Sequence, residues 1–141
     1  MRLGVSEYGG LPIAADDRQL SASLLLPAGH RGPAFLIFDN FRAILKYNNS
    51  SSYALAVGLL SKRFTGAGLV YGQWPKEDLP LSRSERIELQ TLLGKHNYDA
   101  GNPDGIIGAN TRKAIRSAQQ SFGWPADGYP TQQLLEALRS R

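Results

Sequence analysis

The feature that most constrains this chain is a loop rich in glycine and aspartate that leads directly into a helix. Residues 98–111 read YDAGNPDGIIGANT, and the helix-forming run RKAIRSAQ follows without a break. A shorter copy, ADGYPT, occupies residues 126–131 and again precedes a helical pattern. Glycine favours tight turns because it reaches positive φ angles, and aspartate because its side chain bonds nearby backbone. The repeat predicts two turn-to-helix units in the C-terminal half.

Three short helices are predicted in this half. Ser82 and Glu85 form a capping-box pattern before the first, and Thr111 and Thr131 are predicted to cap the second and third. Apolar residues recur at helical spacing behind each cap. The predicted inward faces are Ile87, Leu89, Leu92 and Leu93, then Ala114, Ile115, Ala118 and Phe122, then Leu134, Leu135 and Leu138. A module this small lies near the lower size limit for a self-supporting core.

The first half is predicted to begin with loops over residues 1–22 and to continue with a β-hairpin and a helix. Apolar runs at residues 24–26 and 34–38 flank a turn rich in proline and glycine, which predicts two paired strands. Asp39 and Asn40 are favourable N-cap residues for the helix that follows. Asn48 would lie on the apolar face of that helix, where a buried amide must find hydrogen-bond partners.

The next predicted helix is apolar on every side and therefore needs neighbours all round it. It follows a cap-forming stretch at residues 49–52, includes the apolar residues 53–60, and has Lys62 and Arg63 in its last turn. Gly66 and Gly68 are candidate stops. One hairpin and one short helix give thin cover, so we infer that part of the domain comes from an upstream segment, another chain or the C-terminal module.

These patterns predict a mainly α member of the α+β class. We place a partial domain with a hairpin and helices at residues 1–66, a linker at 67–83, and the three-helix module at 84–141. The linker contains two glycines, two prolines and two aromatic residues, Tyr71 and Trp74, that could pack it down.

Composition excludes several classes of protein. The chain has 141 residues, no cysteine and a net charge of +4 from 16 basic and 12 acidic residues. It therefore has no disulfide or thiolate chemistry, and no apolar run approaches the length of a membrane span. No signal peptide is predicted at the N-terminus. Three short helices and a basic charge could suggest a DNA-binding protein, but the concentrated basic stripe that nucleic acid requires is missing.

The C-terminal half resembles the peptidoglycan-binding domain family over residues 84–139. The matching elements are LQ-x-x-L at residues 89–93, YD-x-G at 98–101, DG-x-x-G-x-x-T at 104–111 and DGYPT at 127–131. The resemblance implies that a muropeptide binds in a shallow groove formed by the first helix, the loop from Asp104 to Thr111 and the second helix.

The first half resembles the C-terminal part of the catalytic domain of lytic murein transglycosylases of the membrane-bound B type. The matching segments are SLLLPAG at residues 23–29, GPAF at 32–35, NFR at 40–42, KYN at 46–48 and YALAVG at 53–58. This family has a lysozyme-like fold and cleaves the bond between N-acetylmuramic acid and N-acetylglucosamine, leaving an anhydro sugar.

The resemblance implies that the catalytic glutamate lies upstream of the matching segments. The general acid for such cleavage needs a raised pKa in a partly enclosed site. Glu7 is the only glutamate near the start and lies on no recognisable buried helix. The other glutamates are predicted to be solvated surface charges, at positions 77, 85, 88 and 136. We therefore predict no catalytic residue in this chain.

Five residues are predicted to bind substrate. The resemblance implies that Tyr47 and Asn48 line the glycan cleft, although Asn48 could instead cap its helix. Tyr53 could stack on a sugar or pack in the core. Asp104 belongs to the predicted muropeptide groove. Arg112, on a basic side shared with Lys113 and Arg116, could meet muropeptide carboxylates or simply face solvent.

No metal or cofactor is predicted. Asp99, Asp104 and Asp127 lie beside glycines but lack the alternating ligands and closing glutamate of a calcium loop, so turn formation is the preferred interpretation. His30 and His96 are isolated in the sequence and are predicted to be incidental loop residues.

Together these observations predict a murein-binding protein that is inactive alone and works with glycan strands or muropeptides in the periplasm or cell envelope. The alternative is an active lytic transglycosylase completed by an upstream segment or a partner chain. Nucleic-acid binding is the least favoured hypothesis.

Overall fold

A computed structural model describes residues 21–66, 70 and 72–141. The predictions for residues 1–20, including the loops and Glu7, and those for Gly68 and Tyr71 lie outside this part of the chain. The described residues form two strands and five α-helices, so the predicted mainly α class with a hairpin is confirmed. Two compact units divide the chain: one includes Arg31–Trp74, and the other comprises Ala28–His30 and Pro75–Arg141.

The N-terminal unit contains the predicted hairpin. Strand β1 (Ser23–Leu25) pairs antiparallel with β2 (Phe35–Ile37), with Leu24 opposite Leu36 at the centre of the register. A 3-10 turn at Gly29–Arg31 lies in the connection. A loop longer than a tight two-residue turn therefore joins the strands, as the proline and glycine pattern indicated.

Helix α1 spans Asp39–Tyr47, so Asp39 and Asn40, which were predicted to precede the helix as caps, are its first two residues. Its N-cap is Phe38, which makes no side-chain cap bond, so the expectation that Asp39 and Asn40 cap the helix is wrong. Asp39 instead lies in the first turn, where a carboxylate suits the helix dipole, and its Oδ1 pairs with Arg42 at 2.8 Å.

Helix α2 (Ser51–Phe64) begins and ends as predicted but is not buried on every side. The Ser50 hydroxyl accepts the Tyr53 N–H at 3.3 Å, and Gly66 follows the helix with φ +77°. Ala54 is its only fully buried residue, whereas Leu60 and Phe64 are 57% and 83% exposed. The expectation of all-round burial is therefore wrong within the described residues, because every other residue of the helix is exposed or only partly buried there.

The C-terminal unit contains helices α3 (Arg83–Lys95), α4 (Ala109–Ser121) and α5 (Gln132–Arg139). Buried side chains of these helices, together with Leu81 and Ala100 outside them, form one apolar core. It contains most of the predicted inward residues, but Ile87 is not among them. That core comprises Leu81, Leu89, Leu93, Ala100, Ala114, Ile115, Ala118, Leu134, Leu135 and Leu138. Leu92 and Phe122 are partly buried against it.

The predicted caps of α3 and α5 are confirmed. The Ser82 hydroxyl accepts the Glu85 N–H at 3.3 Å, and the Glu85 carboxylate accepts the Ser82 N–H at 2.7 Å, which completes a capping box. The Thr131 hydroxyl accepts the Leu134 N–H at 3.1 Å. Both helices therefore begin where their own sequence satisfies the first amide groups.

Candidate functional site

The loop between α3 and α4 is held by a buried glutamine. Gln90 is 2% exposed, and its Oε1 accepts the Gly105 N–H at 2.8 Å. Its Nε2 contacts Asp104 Oδ1 at 3.2 Å, the Ile106 carbonyl at 3.1 Å and Thr111 Oγ1 at 3.2 Å. One amide thus ties the turn at residues 104–106 to the first turn of α4, because a buried polar group must have its bonds satisfied inside the protein.

The turn at Asp104 is also closed by its own atoms. Asp104 Oδ1 accepts the Ile106 N–H at 2.8 Å. Gly105 has φ +79°, and a Cβ at this position would lie 3.0 Å from Arg83 Cγ and 3.2 Å from Ile87 Cγ1. Glycine is therefore required by both the backbone angle and the close approach of α3.

The second copy repeats these bonds between α4 and α5. Gln119 is 4% exposed; its Nε2 donates to Asp127 Oδ1 at 2.7 Å, and its Oε1 accepts the Gly128 N–H at 2.9 Å. Asp127 Oδ1 also accepts the Tyr129 N–H at 2.8 Å. The sequence repeat is thus a structural one, in which a helix glutamine holds an Asp-Gly turn ahead of the next helix.

The two copies differ at the second carboxylate oxygen, Oδ2. In Asp127 this oxygen accepts the His30 backbone N–H at 2.8 Å and lies 2.7 Å from His30 Nδ1, and the side chain is 5% exposed. Asp104 is exposed, and its Oδ2 has no hydrogen-bond partner within the described residues. The first copy therefore presents a carboxylate oxygen that the second copy keeps occupied.

Both carboxyl groups are held in the ionised form. Hydrogen bonds from the Ile106 N–H and then from Gln90 lower the pKa of Asp104, with a smaller contribution from the Arg83 charge. For Asp127 burial is the largest influence and opposes ionisation, but the bonds from Tyr129, His30 and Gln119 together still lower the pKa.

A depression of about 270 Å³ lies against the first copy. It is lined by Gln90, residues 100–102, Asp104, Ile106 and residues 108–111. A second depression of about 310 Å³ shares Ala100 and Gly101 with it. Ile106 is 70% exposed, so this surface combines an acceptor with an apolar side chain.

The start of α4 forms one side of this depression. The predicted capping role of Thr111 is wrong, because the N-cap is Gly108 and no side-chain cap bond is present. The Thr111 hydroxyl instead donates inward to the Ala100 carbonyl at 3.0 Å. The first-turn amides of α4 therefore lack the side-chain acceptor that α3 and α5 have.

The other predicted binding residues do not belong to this loop. Tyr47 and Tyr53, in the N-terminal unit, are 85% and 40% exposed, and their rings stack with centroids 6.5 Å apart. Asn48 is the exposed C-cap of α1 rather than a residue of its apolar face. Arg112 is an exposed residue of α4 and does not line either depression near Asp104.

Several polar residues make structural hydrogen bonds that the sequence analysis did not predict. Gln90 and Gln119 were missed, although a glutamine inside an apolar helical pattern is itself a signal. His30 and His96 are not incidental: His30 bonds Asp127, and His96 Nε2 lies 3.1 Å from the Leu138 carbonyl. The expected turn role of the three aspartates is confirmed, since Asp99 Oδ1 accepts the Gly101 N–H at 3.3 Å in the same way.

Four of the described carboxyl groups have a clear change in pKa. Those with a clear pKa change all become more acidic: Glu85, Glu88, Asp104 and Asp127. Glu85 and Glu88 are not simply solvated charges, because Glu85 bonds Ser82 and Gln132 and Glu88 pairs with Arg139 at 2.8 Å. A general acid requires the opposite change in pKa.

Neither a metal-binding cluster nor a membrane-spanning helix occurs among the described residues. No group of three or more acidic, histidine or cysteine side chains there could hold a metal ion. None of the helices formed by residues 21–66 and 72–141 has both the length and the apolar character to cross a bilayer.

Family models match both halves of the sequence. Residues 1–62 match the model described as "Transglycosylase SLT domain", and residues 82–138 match the one described as "Putative peptidoglycan binding domain". The two halves of the chain are therefore similar to a transglycosylase domain and to a peptidoglycan-binding domain, which confirms both resemblances. No curated protein sequence matched the chain.

Solved structures of SltB3 from Pseudomonas aeruginosa match over nearly the whole chain. One, in complex with NAG-anhNAM-pentapeptide, is 65% identical with a TM-score of 0.93. The match covers 96% of the present chain and 36% of the SltB3 chain. Another, in complex with NAG-NAM-pentapeptide, is 66% identical with a TM-score of 0.88. That match covers 91% of the present chain and 34% of the SltB3 chain. The present chain thus spans about a third of the length of these relatives.

Proposed function

We propose that this chain binds murein as the C-terminal part of a lytic transglycosylase and does not cleave glycan by itself. The observation that carries the proposal is the depression beside Asp104, which lies in the segment matched by the peptidoglycan-binding domain. It presents a carboxylate oxygen with no hydrogen-bond partner among the described residues, amides without a side-chain cap and the exposed Ile106 side chain. Amide and hydroxyl groups of murein complement such a surface.

Aromatic and amide side chains of the N-terminal unit support the same proposal. Tyr47 and Tyr53 present exposed, stacked rings suited to the apolar face of a sugar, and Asn48 offers an exposed amide next to them in sequence. We assign these residues to glycan contact. Arg112 is a peripheral contact for muropeptide carboxylates, and the proposed setting is the periplasm or cell envelope.

Co-sedimentation with insoluble murein tests the binding. The full chain, mixed with purified sacculi at low salt, is expected to appear in the pellet and to be released by excess soluble muropeptide. An unrelated protein of similar size and charge serves as the control. A chain that remains in the supernatant contradicts the proposal.

A second candidate function is glycan cleavage by a completed enzyme. It is favoured by α2, whose Leu60 and Phe64 side chains are exposed, and by the solved relatives, of which this chain covers 36% and 34%. We propose that an upstream segment or partner chain supplies the general acid and covers α2. Release of anhydro-muropeptides by a longer chain but not by the present one supports this division. Release by the present chain alone contradicts it.

A further inference from the structure

The two Asp-Gly turns of the C-terminal unit provide an internal comparison. In each, a buried glutamine contacts the aspartate Oδ1 and accepts the glycine N–H, and the next residue donates its N–H to the same Oδ1. The aspartate is thereby fixed in the same way twice, with Oδ2 directed elsewhere. What occupies Oδ2 in one copy therefore indicates what the other can accept.

The second copy is occupied by a backbone amide of this chain. Asp127 Oδ2 accepts the His30 backbone N–H at 2.8 Å and also lies 2.7 Å from Nδ1 of the same residue. The preceding residue, Gly29, packs against the turn. A Cβ on Gly29 would lie 2.8 Å from that oxygen and 3.1 Å from Tyr129 Cβ. The turn thus accommodates an amide N–H that follows a residue without a side chain.

The first copy has the same acceptor, and no residue in the described part of the chain bonds its Oδ2. Asp104 is exposed, and a depression of about 270 Å³ lies beside it. Ile106 takes the place that Tyr129 has in the second copy and is 70% exposed. A carboxylate acceptor next to an apolar side chain suits a neutral amide better than a ligand carboxylate, which Asp104 would repel.

We propose that Asp104 Oδ2 accepts the N–H of a neutral amide of murein, in the manner that Asp127 accepts the His30 N–H. This inference rests on the proposed murein binding and names the chemical group recognised there. Two sources carry that group: the acetamido substituents of the glycan and the peptide bonds of the stem. Arg83 is the charged side chain that acts on Asp104, and it helps to keep the acceptor ionised.

The substitution Asp104→Asn tests the bond with little disturbance of the turn. The asparagine oxygen can still accept the Ile106 N–H and meet Gln90, whereas its NH₂ group replaces Oδ2 and turns the acceptor into a donor. We expect affinity for sacculi to fall roughly tenfold, the scale of one charge-assisted hydrogen bond. Glu136→Gln removes the same charge from an exposed position of α5 and should bind like the unmodified chain.

Two soluble ligands distinguish the source of the amide. Stem-free N-acetylated glycan oligomers and free stem peptide are each titrated into the unmodified chain and the Asp104→Asn variant, and the Ile106 and Asn110 amide signals are followed by NMR. Loss of glycan binding in the variant identifies the acetamido group, and loss of peptide binding identifies the stem. Either result supports the proposal.

Other outcomes overturn it. If Asp104→Asn and the unmodified chain pellet equally with sacculi, murein binding stands but the amide contact is wrong. If the difference in affinity between the unmodified chain and Asp104→Asn disappears steeply with added salt, the group at Asp104 is a charged ammonium and the neutral amide is excluded. If the unmodified chain binds neither sacculi nor the soluble ligands, the proposed function fails as well. Equal thermal stability of the two proteins shows that the variant is folded.

Discussion

At the scale of single residues, two glutamines organise the C-terminal unit. Gln90 and Gln119 are nearly inaccessible, yet each satisfies the backbone of a turn that lies outside its own helix. The sequence showed the Asp-Gly turns directly, because turn chemistry is local. The sequence did not show which residues the glutamines bond, because the distance along the chain from glutamine to aspartate differs between the two copies. It is 14 residues for Gln90 and 8 for Gln119.

Replacing Gln90 with leucine keeps the volume of the side chain but removes its bonds. The buried Gly105 N–H then loses its acceptor, so we expect the free energy of unfolding to fall by about 2 to 3 kcal/mol. Urea denaturation followed by circular dichroism measures this change. Gln120→Leu, at an exposed position of the next helix, should change stability by less than about 0.5 kcal/mol. Equal losses in both variants would show that the amide bonds contribute nothing specific.

At the scale of helices and strands, the sequence predicted the elements better than their first residues. Ser50, Ser82 and Thr131 cap their helices as expected. Asp39 and Thr111 do not, although each is a favourable cap residue. In the case of Thr111 the tertiary structure supplied stronger bonds, to the Ala100 carbonyl and Gln90, because the side chain is buried.

The capping box of α3 should make the free energy of unfolding depend on pH in the acidic range. A bond from Gln132, followed by bonds from Ser82, lowers the pKa of Glu85 from 4.5 to about 2. The folded state therefore binds fewer protons than the unfolded state in this range, and the stabilisation present above pH 4.5 is lost as the pH falls towards about 2.

We expect Glu85→Gln to flatten that dependence. The free energy of unfolding, measured by urea titration at a series of pH values, should fall less steeply with acid in the variant than in the unmodified chain. Glu136→Gln removes an exposed carboxylate of α5 and should leave the slope unchanged. Identical slopes for all three proteins would refute the assigned role of Glu85.

At the scale of the whole molecule, the two units differ in how completely their apolar side chains are covered. The C-terminal unit buries one continuous core from three helices. In the N-terminal unit, Phe41 is 7% exposed, whereas Phe64 is 83% exposed. Exposed side chains of this size often mark a surface that another element covers. This contrast agrees with a chain that spans about a third of its solved relatives.

Truncation of these two phenylalanines should therefore have unequal effects. Phe41→Ala is expected to lower the free energy of unfolding by about 3 to 4 kcal/mol, because it empties a packed site. Phe64→Ala should change it by less than about 0.5 kcal/mol. Chemical denaturation of both variants gives the comparison. In a longer chain that includes the proposed upstream segment, Phe64→Ala should lower the free energy of unfolding clearly. If it does not, the proposed cover of α2 is contradicted.

The sequence by itself determined the hairpin, the helices, most of their caps and the Asp-Gly turns, since each follows from side chains a few residues apart. It also carried the two family resemblances, which rest on motifs in order and spacing. Only the tertiary structure decided which of the two turn aspartates, Asp104 or Asp127, keeps a carboxylate oxygen available for a ligand. Asp127 meets His30 across 97 residues of sequence, while Asp104 has no such partner among the described residues. Contacts of that range depend on packing, and no local pattern specifies them.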